Sequence, residues 1–143
     1  MSKKKTTEQL INDIVNSNDI KDFLDKNKAD LIRKEFHHFL MDIIVEKDLE
    51  NRDIIEKSQM NRVYFYHLLS GKRKPSRDKI IQLSFGLGLS VEEMQQLLKV
   101  SNMKELYSKH KRDAIILFAI THRMSLIETN ILLDDENEQL LCE

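Results

Sequence analysis

NRDIIEKSQMNRVYFYHLLSGKRKP, Asn51 to Pro75, decides the fold. Its middle, Ser58-Gln59-Met60, reads as a tight turn between two short helices. Asn51 opens the first, with Ile54 and Ile55 facing inward. Asn61 is an N-cap for the second, which runs from Arg62 to Ser70 with Phe65, Leu68 and Leu69 as its apolar side. Gly71 supplies the left-handed conformation that ends this helix, and Pro75 forbids its resumption.

The same signals continue on both sides. Ser76 caps a helix with Ile80, Ile81, Leu83 and Leu87 inward; Gly88 ends it; Ser90-Val91-Glu92-Glu93 is a capping box for the next, which carries Met94, Leu97 and Leu98. Upstream, Phe36, Phe39, Leu40, Ile43 and Ile44 form the stripe of a helix from about Leu31 to Lys47. Before it, Leu10, Ile11, Ile14 and Val15, then Ile20, Phe23 and Leu24, mark two amphipathic helices begun by Thr6 (with Gln9) and by Asp19. Downstream, Asn102-Met103-Lys104-Glu105 reads as the start of a helix through Leu106 and Tyr107 towards Phe118, broken near Ser108, and Ser125-Leu126-Ile127-Glu128 as another capping box. There is no strand-like alternation, no low-complexity segment and no apparent internal repeat. The fold class expected is all-α.

Three glycines and one proline in 143 residues agree with that, because the two strongest helix breakers are scarce. Hydrophobic content of 41% with 33% charged residues fits a globular protein. The longest apolar run, Ala114 to Ile120, is far short of the roughly 20 residues that span a bilayer. No membrane partner is expected. No secretory h-region follows Lys3-Lys4-Lys5, and single Cys142 excludes an internal disulfide, so the cytoplasm is the expected compartment. The net charge of −1 hides an asymmetry. Seven cations (Lys57, Arg62, Lys72, Arg73, Lys74, Arg77, Lys79) against Asp78 lie between Lys57 and Lys79, whereas Glu128 to Glu143 holds six anions and no Lys or Arg. A rigid helix pair with cations at its exit is how small proteins present a helix to the DNA major groove, and a near-neutral total is compatible with that.

Leu40 to about Leu98 resembles the lambda-repressor-like, Cro-type (xenobiotic-response-element family) helix-turn-helix domain. Five helices fall in the expected order. Ser70-Gly71-Lys72-Arg73-Lys74-Pro75-Ser76 is similar to the family's Gly-Lys-x-x-Pro-Ser linker, and Leu87-Gly88-Leu89-Ser90-Val91 to its Leu-Gly-Val-Ser-hydrophobic turn. Three positions depart from the pattern: Gln59 where glycine is usual in the turn, Ile55 where a small residue is usual, and Ile44 where arginine is common. The resemblance implies a five-helix DNA-binding domain over 35–100, an N-terminal helical extension over 1–34, and a C-terminal helical extension with an acidic tail over 101–143.

It also implies double-stranded DNA as partner and a role as transcriptional regulator, with helix 62–70 in the major groove. Carried over position by position, Arg62, Val63 and His67 meet base edges; Asn51, Tyr64, Tyr66, Lys72, Arg73 and Lys74 meet the phosphate backbone. Duller readings stand beside these: Asn51 as a helix cap, Tyr64 and Tyr66 as packing groups, His67 as a surface histidine. Family members commonly bind as two-fold dimers, so a homodimer is implied as well. The apolar run Ala114 to Ile120 has two readings, core or subunit contact, with core preferred. The terminal helices are also free for a protein partner, which makes an adaptor, antitoxin or signalling partner the alternative role. No enzyme is expected. There is no phosphate loop, metalloprotease motif or cofactor signature; Cys142 lies in an acidic tail, the wrong setting for a thiolate nucleophile; and adjacent His37 and His38 are expected to diverge on a helix rather than join a metal site.

Overall fold

A computed structural model describes residues 5–27 and 35–142. Among these, every regular element is an α-helix: α1 Thr7–Asn16, α2 Ile20–Lys26, α3 Phe36–Glu46, α4 Asn51–Ser58, α5 Arg62–Ser70, α6 Arg77–Leu87, α7 Val91–Val100, α8 Lys111–Thr121 and α9 Leu126–Asp135. The chain divides into two compact units, residues 1–33 and 34–143. Leu31 to Lys34, expected at the start of α3, lie outside the described residues.

In the first unit Thr6 and Gln9 form the expected capping box, and the Lys21 amide donates to Asp19 at the start of α2. Lys5 bonds to Asp13 at 2.6 Å and to Asn27. Phe23 and Asn27 are buried, while Ile11, Ile14, Val15 and Ile20 are exposed.

The second unit is built on the stripes read from the sequence. Leu40, Ile54, Phe65, Leu68, Ile80, Ile81, Leu83, Met94 and Leu98 are fully buried in one core. Each such side chain contributes about 1.5–3 kcal/mol relative to exposure. The caps fall where serine and asparagine were read as caps: Asn61, Ser76, Ser90 and Ser125 each accept a bond from an amide in the first turn. The tightest approach joins α4 to α6, where a Cβ on Gly86 would lie 2.5 Å from the Ile54 carbonyl oxygen. Beside it, buried Gln82 donates from Nε2 to the Ser58 carbonyl at 2.7 Å, and Lys79 donates to Gln82 Oε1 at 3.2 Å. The last turn of α4 is thereby fixed to α6, and the turn that follows inherits that anchor.

Residues 103–107 are not helical, contrary to the expectation of a helix through Leu106 and Tyr107. Asn102 is left-handed at φ 58° and breaks the helix there. Side chains then hold the extended backbone: Arg77 donates to the Lys104 and Glu105 carbonyls, and Gln95 exchanges two bonds with Leu106. Tertiary hydrogen bonds outweigh the local preference.

The structure also corrects the absence of a repeat. Arg77–Leu106 and Arg112–Leu141 are two versions of one helical hairpin, aligned at a constant offset of 35 residues with identical residues at key positions. Arg-Asp (77–78, 112–113), Ile-Ile (80–81, 115–116), Ser-x-x-Glu (90–93, 125–128), Leu-Leu (97–98, 132–133), Asn102/Asn137 and Leu106/Leu141 recur in register without a gap. The backbone repeats with them. Gly88 and Arg123 have φ 65° and 54°, Asn102 and Asn137 have φ 58° and 59°. Leu106 donates its amide to Gln95 and Leu141 to Asn130; Arg77 Nε bonds the Lys104 carbonyl and Arg112 Nε the Gln139 carbonyl. The two hairpins are clasped reciprocally. Arg77 reaches forward to Asp113 (3.3 and 3.0 Å), and Arg112 reaches back to Asp78 (2.9 and 3.0 Å).

Candidate nucleic-acid interface

Two helices and a left-handed residue make the surface. Gln59 has φ 53° and ψ 33°, the conformation that favours glycine, at a cost of about 1 kcal/mol. Its own side chain offsets part of this by donating to the Glu56 carbonyl at 2.8 Å. Asn61 then accepts from the Tyr64 amide at 3.1 Å and starts α5.

The first turns of α5 point outward through Arg62, Val63 and Tyr66, with Val63 61% exposed. The Arg62 guanidinium lies 5.8 Å from the centre of the Tyr66 ring, whose edge packs on buried Phe65. His67 is half-buried, and its carbonyl accepts from the Arg73 amide at 3.1 Å, which folds the cationic loop back on α5. Tyr64 is half-buried against the core, and burial pushes its hydroxyl pKa up against the opposing charge of Arg73. Arg73 and Lys79 sit 6.0 and 5.4 Å from its ring centre.

Asn51 is the first residue of α4 rather than its cap. Glu50 holds the cap position without a side-chain cap bond. Half-buried Asn51 makes no side-chain hydrogen bond among the described residues, so amide donors at this helix end remain available to an anion. Lys72, Arg73 and Lys74 are exposed, Lys74 lying 3.7 Å from Glu35, which is exposed as well. The seven-cation cluster read from the sequence loses Arg77, which is committed to Asp113, and Lys79 is drawn to Gln82. Exposed cations at Lys57, Arg62, Lys72, Arg73 and Lys74 remain.

The C-terminal segment approaches this surface. Gln139 to Cys142 line a polar cleft of about 420 Å³ together with Gln59, Asn61 and Lys79. Arg62 and Val63 are exposed. Cys142 is half-buried and accepts from the Asn130 amide at 2.9 Å.

His37 and His38 do not diverge as expected; their ring centres lie 4.0 Å apart, and His38 Nδ1 accepts from the Glu35 amide. Among the described residues no group of three His, Cys, Asp or Glu is arranged to hold a metal ion, and no helix is long and apolar enough to cross a membrane. Comparison with protein-family models, curated proteins and solved structures gives no match.

Proposed function

We propose that residues 35–100 form a lambda-repressor-like, Cro-type helix-turn-helix domain that binds double-stranded DNA, as a transcriptional regulator, with α5 in the major groove. The observation that carries this reading is the outward face of Arg62, Val63 and Tyr66, flanked by Lys72, Arg73 and Lys74. Arg62 has the fork geometry that reads guanine O6 and N7, worth about 1–3 kcal/mol of discrimination, and Val63 suits a thymine methyl. Tyr66 and the lysine-arginine loop reach the phosphates on either side, and the unfilled amides of α4 receive another beside Asn51. Tyr64, half-buried against the core beneath Arg73 and Lys79, keeps its place among the proposed phosphate contacts. A cytoplasmic location accompanies this reading.

Five engaged cations predict that log affinity for duplex DNA falls against log salt with a slope of about −4.5. Substituting Arg62, Lys72, Arg73 and Lys74 together by alanine is expected to weaken binding to random duplex at low salt by at least about 100-fold and bring the slope near −1. Fluorescence anisotropy across a salt series reads both. Indifference of the unaltered protein to DNA at every salt concentration would discard the regulator in favour of the adaptor reading.

A further inference from the structure

The two hairpins differ in what covers them. Beside α6–α7 stands α3: Phe36 lines a small cleft with Ile80, and Phe39 and Ile43 face Leu97 across a groove. The ends of α3 are fixed by charge, Lys47 pairing with Glu93 at 2.9 Å and Glu35 approaching Lys74 at 3.7 Å. Thirty-five residues on, the corresponding positions are Ile115, Phe118 (for Leu83) and Leu132, with Glu128 and Lys109 at the two ends. Among the described residues of the second unit, no helix lies across them. Ile80, Leu83 and Leu97 are buried; Ile115 and Leu132 are only half-buried, and Phe118 is 52% exposed, stacked on His122 alone. A cleft of about 350 Å³ opens over Ala114, Ile115, Phe118 and Leu132.

Two further details argue that this face is normally covered. Glu92 and Gln96, on the rim of the first hairpin's groove, are replaced by Ile127 and Ile131, both 56% exposed. The uncovered version of the hairpin is therefore the more apolar one, the reverse of what contact with water favours. Among the described residues Glu128 bonds its own helix cap but meets no cation, and Lys109 meets no anion.

We infer that the α8–α9 face is a docking site for one amphipathic helix of a partner protein, shaped and charged like α3. That helix spans about three turns with apolar residues at i, i+3, i+4 and i+7. It carries an acidic residue at its N-terminus for Lys109 and a lysine or arginine at its C-terminus for Glu128. The charge order also agrees with the helix dipole. The site uses none of the residues of the proposed DNA surface and stands whether or not that reading holds.

The test uses the full chain and a synthetic peptide of residues 35–47, EFHHFLMDIIVEK, as the model helix. Backbone and methyl NMR shifts are followed during titration. Saturable changes centred on Ile115, Phe118 and Leu132 are expected. Phe118→Asp should weaken binding at least about 30-fold while leaving far-ultraviolet circular dichroism unchanged. A peptide with Lys47→Glu should bind about 5-fold more weakly to the unaltered protein yet equally to Glu128→Gln, a change that keeps the cap bond. Three results overturn the proposal: no shifts on this face at about 1 mM peptide; shifts centred instead on Ile80 and Leu97, meaning that the peptide displaces α3; or a Phe118-dependent dimer in sedimentation without peptide, which would assign the face to a second copy of the chain.

Discussion

Gly86→Ala is expected to destabilise the second unit by about 3 kcal/mol. The added Cβ would lie 2.5 Å from the Ile54 carbonyl oxygen and 2.9 Å from Ser58 Cβ. The first of these is backbone, so no rotamer change relieves it; α4 and α6 must separate. Separation also lengthens the 2.7 Å bond from Gln82 to the Ser58 carbonyl, and it disturbs the turn that aims α5. Gly88→Ala is the control. A Cβ there meets nothing within 4 Å, and only the φ of 65° is unfavourable, a cost of about 1 kcal/mol. Urea unfolding followed by circular dichroism separates the two, and equal midpoints would disprove the tight approach.

Asp113→Ala is expected to cost about 3 kcal/mol. Asp113 is 5% exposed and accepts from Arg77 and from the Tyr107 amide, so removing it strands the Tyr107 amide and leaves the Arg77 charge without its anion, held only by the Lys104 and Glu105 carbonyls. The pair also predicts an acid dependence. Burial pushes the Asp113 pKa up, but the Arg77 hydrogen bonds, the Tyr107 amide and the charges of Arg77 and His110 outweigh it and hold the pKa below the usual aspartate range. A folded-state value below the unfolded one gives stabilisation that is fully present above about pH 4 and is lost as pH falls through the lower folded value. The stability difference between the unaltered protein and Asp113→Asn should accordingly shrink as pH is lowered below about 4. A difference that is constant from pH 7 to pH 3 would contradict the assigned charge state.

Much of the fold is legible in the sequence because its helix starts are written in side chains that bond locally. Thr6, Asp19, Asn61, Ser76, Ser90 and Ser125 each name a boundary without help from the rest of the chain. Residues 103–107 are not legible in that way, since the groups that hold them extended, Arg77 and Gln95, are distant in sequence and look like ordinary surface residues. The same partner problem hides the fate of Arg77, which reads as one more cation until Asp113 is placed beside it. The repeat escapes notice because its second version exchanges Gly88 for Arg123 and Leu83 for Phe118, the residues a reader uses as landmarks. The invariant signal, Arg-Asp followed by Ile-Ile and then Ser-x-x-Glu, is thin in one dimension. Of the proposed DNA contacts, Arg62 and Val63 are exposed as their place at the start of α5 suggests; Tyr64 is half-buried against a core that the local pattern does not reveal.

The crossed arginine–aspartate clasp has a topological consequence. Each hairpin's guanidinium holds the other hairpin's carboxylate, so neither hairpin keeps a spare hand for a third. An array that grew by copying would need the arginine or aspartate of this clasp unmatched at its open end, and here Arg77, Asp78, Arg112 and Asp113 are all engaged with one another. Two modules therefore make a closed pair, locked at both seams, in which neither can peel away and leave its neighbour whole.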